Sequence, residues 1–394
     1  MRVLFNGWFL VHDPDTGSGQ YLHRLLEWLP HVAPEHEYHV LVPDEVASVK
    51  YQVSGVTCHP STSLRAGVSR VTSSSPWSKL RFEQVLFPRS CRQLKADLAH
   101  VPYWAPPLSS PVPLVVTVHD LIPLLFPAYR GSLLARLYTA LVSTAARGAQ
   151  VVLTDSESSR QDILSRLGLP ADRVRAIPLA AGPEFHPEAG EDDEAVRERY
   201  GLPETYVLYV GGFDRRKNLR QLLAAWTWVD AGAGELYPLV IAGKLPAPDG
   251  RMFADLPALA RELGVAKTIV FPGPIASADL PALIRGATAF AYPSRYEGFG
   301  LPPLEAMACG VPVVACNTSS LPEVVGDAAI LVDPDDSRAL GAALLTVVVN
   351  EDVAQDLRRK GLAQAAKFSW EKTARETVEV YEEVHRHAGT QIDR

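Results

Sequence analysis

Short apolar runs alternate with amphipathic stretches along the whole chain. In the first half, runs of a length typical of buried strands cover residues 2–5, 38–42, 97–101, 114–118 and 150–154. Residues 20–29 carry leucines at helical spacing, and further helical stretches are expected around residues 80–95, 131–147 and 157–167. Strands separated by helices predict βαβ units and a parallel sheet.

The pattern breaks between residues 178 and 193, where prolines, glycines and an acidic cluster occur together. It then restarts, with strands expected at 206–210, 239–242, 268–271, 287–292 and 311–315 and helices at 218–229, 255–263, 279–284 and 303–308. We therefore expect two similar α/β domains, residues 1–182 and 183–369. The remaining segment, 370–394, begins with a helix that no strand follows.

The composition excludes several classes of protein. The chain has 394 residues, of which 47% are hydrophobic and 21% charged, as in ordinary soluble globular proteins. A formal net charge of −7 argues against a nucleic-acid partner. No apolar run approaches the ~18 residues that would span a membrane, and the first residues are typical of a strand and loop rather than of a signal peptide. The four cysteines lack CxxC spacing, so we expect a reduced, cytoplasmic protein without structural zinc.

One segment is strongly positive, although the chain as a whole is negative. Residues 65–95 contain seven basic residues and one acid, Glu83, a net charge of +6. The pattern indicates a loop that leads into a basic amphipathic helix carrying Trp77 and Arg81. Two interpretations stay open: a solvated arginine-rich face, or a surface for an anionic acceptor or lipid headgroups. The second would place the protein peripherally at the inner face of an anionic membrane.

The most specific motif is YPSRYEGFGLPPLEAMAC, residues 292–309. It follows a predicted strand and opens a predicted helix. Its glycines let backbone N–H groups approach a ligand, and the N-terminal end of the helix favours an anion such as a diphosphate. Glu297 lies in the loop and Glu305 about one turn into the helix. Two carboxylates at this spacing suit a ligand with many hydroxyl groups, because each accepts hydrogen bonds from vicinal hydroxyls.

A second motif, YVGGFDRRKN at residues 209–218, again joins a strand, glycines and a helix start. Arg215, Arg216 and Lys217 bring three positive charges to this loop, which a diphosphate leaving group needs when no metal supplies them. The alternative is a basic first turn that faces solvent. Cations at a helix N-terminus oppose the helix dipole, which makes that alternative less favourable.

Two weaker signals lie in the first half. His119 and Asp120 follow the strand at 114–118, and the carboxyl ends of parallel strands are where α/β proteins bind ligands. His119 is either a donor to a sugar hydroxyl or a histidine satisfied within its own loop. Gly17-Ser18-Gly19 at a helix start is either a phosphate-binding loop or simple turn chemistry.

Two Asp-x-Asp sequences, Asp13-Pro14-Asp15 and Asp333-Pro334-Asp335, resemble metal-binding pairs. Both lie in proline turns, so we expect turn chemistry there. We predict no metal and no cofactor.

These motifs, in this order, resemble the retaining glycosyltransferases of family 4, also called group 1 glycosyl transferases. The resemblance is carried by TVHDLIPLLFP, TDSESSRQDI, YVGGFDRRKN, EGFGLPPLEAMACGVPVVA and LPEVVGDAAILVDP. It implies the GT-B fold, in which two Rossmann-like parallel-sheet domains face each other across a cleft. The first would bind the acceptor, the second the nucleotide sugar, and the C-terminal helix would pack back on the first.

The resemblance also implies roles for individual residues. Glu297 and His119 would lie near the donor sugar, Glu305 on the ribose, and Arg216 and Lys217 on the diphosphate. The other implied donor contacts are Gly17, Gly19, Gly212, Pro274, Ile275, Gly298, Phe299, Gly300 and Leu301. For the acceptor we expect Asp120, Trp77 and Arg81. Many members carry arginine directly after the strand glycine, where this chain has Gly212-Phe213.

The expected reaction transfers a hexosyl unit from a nucleoside diphosphate sugar to an acceptor hydroxyl with retention at the anomeric carbon. GDP-mannose is the favoured donor, and the acceptor is a saccharide, a lipid-linked or another small molecule in polysaccharide or glycolipid assembly. Two alternatives stay open: a nucleotide-sugar epimerase of similar fold, and a catalytically silent nucleotide-sugar-binding scaffold subunit.

Overall fold

In a computed structural model of the chain, residues 1–12, 16–43, 53–61 and 75–392 are described. The chain forms two compact units. Unit 1 joins Met1–Leu179 to the segment that starts at Trp370, and unit 2 is Ala180–Ser369. The division between Leu179 and Ala180 falls inside the stretch where the hydrophobic pattern of the sequence is interrupted.

Unit 1 contains a parallel sheet of seven strands. They are β1 (Arg2–Asn6), β2 (Glu37–Val42), β3 (Val56–Pro60), β4 (Leu98–Val101), β5 (Leu114–Thr117), β6 (Val151–Thr154) and β7 (Val174–Ala176). Their order is β3-β2-β1-β4-β5-β6-β7, and every pairing is parallel. The strand order reverses between β1 and β4, so their carboxyl ends flank a switch point of the kind where α/β proteins bind ligands.

Unit 2 repeats this arrangement with six strands. They are β8 (Val207–Val210), β9 (Leu239–Ala242), β10 (Ile269–Val270), β11 (Ala289–Tyr292), β12 (Val313–Cys316) and β13 (Ala329–Val332). Their order is β10-β9-β8-β11-β12-β13, again with parallel pairings throughout. The corresponding switch point lies between the carboxyl ends of β8 and β11.

Helices connect the strands. In chain order they are α1 (Phe9–His12), α2 (Gly17–Val32), α3 (Pro76–Arg81), α4 (Phe87–Gln93), α5 (Ile122–Leu125), α6 (Leu133–Ala146), α7 (Glu157–Leu167), α8 (Asp193–Arg199), α9 (Leu219–Ala233), α10 (Leu256–Glu262), α11 (Leu280–Arg285), α12 (Leu301–Ala308), α13 (Leu321–Val325), α14 (Ser337–Val349), α15 (Glu351–Ala365) and α16 (Trp370–Ile392). Short 3₁₀ turns occur at Pro127–Tyr129, Ala171–Arg173, Arg215–Lys217, Ala266–Thr268 and Ser277–Asp279. A π-helical segment, Phe82–Leu86, joins α3 to α4.

The central strands are apolar on both faces, as expected where helices cover a parallel sheet on both sides. Strands β4, β5, β6, β9, β11 and β12 are buried at every residue. The predicted fold class, α/β with two Rossmann-like parallel-sheet domains, is therefore confirmed.

The C-terminal helix α16 belongs to unit 1. The side chain of Tyr381 is fully buried, and its hydroxyl lies 2.7 Å from Nδ1 of His100 at the end of β4. The hydroxyl of Thr373 donates to the carbonyl of Pro178 at 2.7 Å. Among the described residues, no helix combines the length and the apolar character needed to cross a membrane.

The structure differs from the sequence expectation at several elements. Strands β3, β7 and β13 were not expected, and they are partly exposed, which weakens their apolar signal. The strand expected at 268–271 is only two residues long. The helix expected around 80–95 begins at Pro76 and contains the π-helical segment, where the backbone accommodates an extra residue per turn.

Candidate active site

The switch point of unit 2 brings together residues that are far apart in sequence. The loop after β8 carries Arg216 and Lys217, and the loop after β11 carries Glu297. Because β8 and β11 are hydrogen-bonded neighbours, these two loops emerge side by side at the carboxyl edge of the sheet.

A buried ion cluster forms between the two loops. Oε1 of Glu297 lies 2.7 Å from Nζ of Lys217, and Oε2 lies 2.8 Å from Nη1 of Arg216. Nζ of Lys217 also donates to the hydroxyl of Tyr292 at 2.8 Å. Lys217 and Glu297 are each 8% exposed. One carboxylate thus holds two cations at fixed positions.

The electrostatics of this cluster keep Glu297 ionised. Burial alone would raise the pKa of its carboxyl group, but the positive charges of Lys217 and Arg216 outweigh burial and lower the pKa below its usual value. A charge buried in this way is tolerated only because it is paired and hydrogen-bonded.

Local structure fixes the two cations. They lie in the 3₁₀ turn Arg215–Lys217 rather than in the first turn of α9, and Oδ1 of Asp214 caps that turn by accepting the amide of Arg216 at 3.2 Å. Nη1 of Arg216 also donates to the carbonyl of Tyr296 at 2.7 Å. The guanidinium therefore links the two loops through the backbone as well as through Glu297.

Two serines that sequence reasoning missed hold the loop after β11. The hydroxyl of Ser319 accepts the amide of Glu297 at 2.9 Å, and the hydroxyl of Ser320 donates to the carbonyl of Glu297 at 3.0 Å. Both serines follow β12, the strand beside β11. The rule that carboxyl ends of neighbouring parallel strands meet at one edge could have found them.

The helix that opens this site needs a glycine. Gly300 precedes α12 with φ of +121°, a region that side-chain-bearing residues rarely adopt. A Cβ there would lie 3.0 Å from Cδ2 of Leu321. Gly298, Phe299 and Leu301 flank Gly300, so the backbone N–H groups predicted to contact the donor belong to one continuous segment at the start of α12.

The other predicted donor residues of unit 2 lie along the same sheet edge. Glu305 is half-buried on the second turn of α12, and Gly212 is exposed in the loop after β8. Pro274 is exposed and Ile275 half-buried in the loop after β10. The amide of Gly243 donates to the carbonyl of Gly273 at 2.9 Å, which joins the loops after β9 and β10.

The Asp333–Asp335 turn is part of the framework around the cluster. The carboxylate of Asp335 forms an ion pair with Arg295. Nδ2 of Asn218 donates to the carbonyl of Pro334 at 2.8 Å, and Oδ1 of Asp333 accepts the amide of Asp335 at 2.8 Å. Asp13 and Asp15, and Arg65 and Arg70 of the basic segment, lie outside the described residues.

In unit 1, His119 forms an ion pair that the sequence did not predict. Its Nδ1 lies 2.7 Å from Oδ2 of Asp155, and its Nε2 lies 3.3 Å from the carbonyl of Pro102. Burial alone would lower the pKa of His119, but the charge of Asp155 outweighs burial and raises it. Asp155 directly follows β6, so the strand-end rule that selected His119 applies to it equally.

The remaining predicted residues of unit 1 are spread over several elements. Gly17 and Gly19 form the first turn of α2, and the hydroxyl of Thr16 accepts the amide of Gly19 at 3.4 Å. Oδ1 of Asp120 accepts the amide of Ile122 at 3.0 Å. Trp77 and Arg81 lie on α3, where the Trp77 side chain is 73% exposed.

Unit 1 also contains a buried carboxylate, Glu83. In the sequence Glu83 stands out only as the single acid of the basic segment 65–95. Glu83 is fully buried in the π-helical segment. Its Oε2 accepts the hydroxyl of Tyr138 at 2.9 Å, its Oε1 lies 3.2 Å from the hydroxyl of Tyr103, and Nζ of Lys79 is 3.8 Å away. The hydroxyl of Tyr103 also lies 3.0 Å from Oδ1 of Asn6, at the end of β1. Burial raises the pKa of Glu83 to about 7.

Two Rossmann-like parallel-sheet units in one chain form the architecture of the GT-B glycosyltransferases. Two family models match the chain, Glycosyltransferase Family 4 over residues 16–184 and Glycosyl transferases group 1 over residues 192–364. The chain belongs to this family of group 1 glycosyl transferases, which confirms the resemblance seen in its motifs.

Among curated relatives, the chain is 36% identical to the O-antigen chain mannosyltransferase B of Escherichia coli over 268 residues, which cover 68% of this chain and 69% of that protein. It is 32% identical to a serotype-specific mannosyltransferase WbdA of Escherichia coli over 269 residues, 67% of this chain. That match spans only 33% of the relative's own length.

Solved structures share the fold. Anabaena HepE in complex with UDP and glucose aligns with a TM-score of 0.72 at 18% identity and covers 97% of this chain and 100% of that one. WaaG, a glycosyltransferase involved in lipopolysaccharide biosynthesis, aligns with a TM-score of 0.71 at 15% identity, over 96% of this chain and 99% of that one. At these identities the likeness describes the fold alone.

Proposed function

We propose that the chain transfers a hexosyl unit, with mannosyl favoured, from a nucleoside diphosphate sugar to an acceptor hydroxyl. The observation that carries the proposal is the buried cluster of Arg216, Lys217 and Glu297 at the switch point of unit 2. A strand-end site with two fixed cations and an amide-rich helix start suits a diphosphate that gains charge as it leaves.

In this proposal Lys217 and Arg216 stabilise the leaving diphosphate. Lys217 has three N–H donors, and the described residues provide acceptors for two of them, the Tyr292 hydroxyl and Glu297. The third is available to a phosphate oxygen. Because the cations are already held by Glu297, little reorganisation is required when the diphosphate charge develops.

The proposed reaction retains the configuration of the anomeric carbon. The acceptor oxygen forms the new bond on the face from which the diphosphate oxygen departs, and the proton of the acceptor hydroxyl moves to the leaving phosphate oxygen. In this scheme Asp155 orients His119, and the Nε2–H of His119 exchanges the carbonyl of Pro102 for a hydroxyl of the transferred sugar.

Charge compensation without a metal ion is part of the proposal. The proposal assigns the neutralising charge to Arg216 and Lys217, which Glu297 holds at the strand ends. An expected consequence is that nucleoside diphosphate binding is independent of Mg²⁺.

The names of two relatives, the O-antigen chain mannosyltransferase B and the mannosyltransferase WbdA, favour mannose as the transferred sugar. They also favour an acceptor in polysaccharide assembly. We propose GDP-mannose as the donor on this basis.

A thermal-shift panel with GDP, UDP, dTDP and ADP, with and without Mg²⁺, tests the donor site. A ligand at 100 times its Kd stabilises a folded protein by about 2.7 kcal/mol. GDP alone is expected to raise the melting temperature without metal. If no nucleotide does so under either condition, the proposal of a preformed donor site is wrong.

An assay of turnover separates transfer from the alternatives. Incubation with GDP-mannose and a mannose-terminated oligosaccharide is expected to release GDP and extend the oligosaccharide through an α-linkage. Conversion of the nucleotide sugar without release of GDP would instead show an epimerase. Binding of GDP-mannose with no turnover on any acceptor would indicate a scaffold subunit.

A further inference from the structure

Three side chains of types that bind metal ions meet where the C-terminal helix α16 lies beside the turn between α2 and β2. Glu35 and His36 belong to that turn, and Glu382 lies on α16. Oε1 of Glu382 lies 3.5 Å from Nε2 of His36, and Oε1 of Glu35 lies 4.0 Å from the same nitrogen. One ligand atom of each residue lies within 4.8 Å of the other two. These three residues are called the imidazole–carboxylate cluster below.

The imidazole of His36 is buried without a hydrogen-bond partner. Its side chain is only 10% exposed, and neither ring nitrogen has a partner among the described residues. Buried polar groups are normally hydrogen-bonded, because an unsatisfied group is costly. Nε2 faces two carboxylate oxygens, but both lie beyond the range of about 2.7–3.2 Å for N–H···O hydrogen bonds. A partner placed between the nitrogen and the carboxylates would satisfy all three groups.

The spacing of the cluster suits a shared metal ion. In tetrahedral sites zinc lies about 2.0–2.2 Å from imidazole nitrogen and carboxylate oxygen, so neighbouring ligand atoms are about 3.4 Å apart. The separations of 3.5 and 4.0 Å from Nε2 are close to this value. Both glutamate side chains are partly exposed, so small rotations can bring their oxygens to the required distance.

The two carboxylates bring negative charge to one place without a strong cation. In the part of the chain that the structure describes, neither Glu35 nor Glu382 forms an ion pair with a lysine or an arginine. Burial, together with the charges of both carboxylates, raises the pKa of the Tyr38 hydroxyl. Both negative charges therefore act on the same part of the interior. A divalent cation would neutralise them together.

The backbone on each side of the cluster is held in place. The amide of His36 donates to the carbonyl of Ala33 at 3.3 Å, which fixes the turn after α2. On α16, Tyr381 directly precedes Glu382, and its buried hydroxyl lies 2.7 Å from Nδ1 of His100. Two segments that are distant in the sequence therefore present their ligands from fixed positions, as a metal site requires.

We propose that the imidazole–carboxylate cluster binds one zinc ion, which ties α16 to the turn between α2 and β2. The three side chains supply three ligands of a tetrahedral site, and water supplies the fourth. An imidazole nitrogen favours zinc over magnesium and calcium, which prefer oxygen ligands. None of the three residues takes part in the proposed sugar transfer, so the proposal does not depend on that reaction.

Calorimetric titration with zinc chloride tests the proposal on the full chain, prepared without an affinity tag and treated with EDTA. His36→Gln and Glu382→Gln each remove one ligand. The first control is Glu379→Gln, an exposed carboxylate on the same helix. The second control is His59→Gln, since Nε2 of His59 lies 2.8 Å from Nδ1 of His39 and this pair is the other place in unit 1 where zinc could bind two imidazoles. Melting temperatures in EDTA verify that each variant folds.

The unmodified chain is expected to bind one zinc ion and to melt at a higher temperature when zinc is present. His36→Gln should weaken zinc binding by at least about 100-fold, because even changes to groups that only orient a ligand cost about 10–100-fold. Glu382→Gln should weaken it by about tenfold or more, since a neutral amide oxygen replaces a charged ligand. Both controls should bind zinc like the unmodified chain, and magnesium should stabilise the chain far less than zinc does.

Absence of zinc binding, or full zinc binding by folded His36→Gln, would overturn the proposal. Loss of zinc binding in His59→Gln would place the ion at the His39–His59 pair instead. Equal stabilisation by magnesium and zinc would contradict a site built on an imidazole.

Hydrogen exchange tests whether the ion ties the helix. Zinc should slow amide exchange in α16 around Glu382 in the unmodified chain but not in His36→Gln. Exchange that zinc leaves unchanged in the unmodified chain would refute a tie between α16 and the turn.

Discussion

Glu297 and Glu83 are both buried carboxylates near the switch point of a parallel sheet, but their pKa values shift in opposite directions. Glu297 in unit 2 is 8% exposed, and its pKa is lowered. Glu83 in unit 1 is fully buried, and its pKa is raised to about 7. Burial is similar at the two sites, so burial alone does not decide the charge.

The difference lies in the partners. Glu297 has two cations within 2.8 Å. Glu83 has neutral tyrosine hydroxyls as its nearest partners, and among the described residues its one cationic partner, Nζ of Lys79, is 3.8 Å away. The comparison shows that the same sheet order can hold either a permanent charge or a group that titrates near neutral pH. The permanent charge of Glu297 suits a site that binds a diphosphate through Arg216 and Lys217. The titration of Glu83 makes the stability of unit 1 depend on pH.

The largest expected effect concerns Glu297→Gln. The change leaves Arg216 and Lys217 buried without their shared counter-charge, and removal of one partner from a buried ion pair costs about 3–5 kcal/mol. Chemical denaturation measures the loss in free energy of unfolding. Inorganic pyrophosphate should restore more stability to this variant than to the unmodified chain, since it can replace the missing negative charge.

Glu262→Gln is the matched control, because Glu262 is an exposed carboxylate on α10 of the same unit. If both variants unfold at the same denaturant concentration, the cluster is not the stabilising unit described above.

Lys217→Ala tests the same cluster through catalysis. Loss of one preorganised donor at a developing charge lowers kcat by about 10²–10³, so we expect at least a 100-fold loss with GDP-mannose. Arg220→Ala is the control, since it removes an exposed positive charge from the first turn of α9. Near-normal turnover by a folded Lys217→Ala variant would refute the role of Lys217.

Glu83→Gln is expected to remove the part of the pH dependence of the unfolding free energy that arises from the raised pKa of Glu83. The folded pKa of about 7 lies above the ordinary value of 4.5, so the stability from the protonated form is complete below pH 4.5 and is lost as pH rises through 7. At pH 8 the variant should be more stable than the unmodified chain by about 3 kcal/mol, since a pKa raised from 4.5 to about 7 corresponds to about 1.4 kcal/mol for each pH unit.

Thermal unfolding at pH 5 and pH 8 measures this effect. The gain from Glu83→Gln should be much smaller at pH 5, and Glu379→Gln, an exposed carboxylate on α16, should change little at either pH. An equal effect of Glu83→Gln at both pH values would contradict a pKa near neutrality. Glu297 behaves oppositely, because its stabilisation is present above its ordinary pKa and is lost as pH falls through the lowered value.

The smallest expected effect is that of Asp155→Asn on His119. The variant removes the charge that raises the pKa of the imidazole, so the protonated donor form is lost at lower pH. We expect roughly a tenfold loss in kcat, the value of one charge-assisted hydrogen bond. The alkaline limb of the pH–rate profile should also move to lower pH, whereas the exposed Asp172→Asn control should leave it in place.

Much of the fold could be predicted from the sequence because central strands of a parallel sheet are continuous apolar runs. Strands β1, β5 and β6 and helix α7 lie within a residue or two of their expected positions. Edge strands could not be found in this way. Strand β3 is half-exposed and β7 has only three residues, so their hydrophobic signal is too short to separate from a loop.

The candidate site also has features that local sequence predicts and features that depend on long-range packing. The sequence predicts which loops carry chemistry, because glycines, prolines and charged residues directly after apolar runs are local signals that do not depend on the rest of the fold. It placed Arg216, Lys217, Glu297 and His119 at strand ends.

Which charged groups meet depends on the order of the strands in each sheet. Lys217 and Glu297 are 80 residues apart and touch because β8 and β11 are neighbours in the sheet. His119 and Asp155 meet across 36 residues because β5 and β6 are neighbours. Glu83 looks like a solvated acid in a basic segment until the π-helical segment turns it inward. Strand order and burial arise from long-range packing, and they set the pKa of each group because electrostatic energy depends on distance and on exclusion of water.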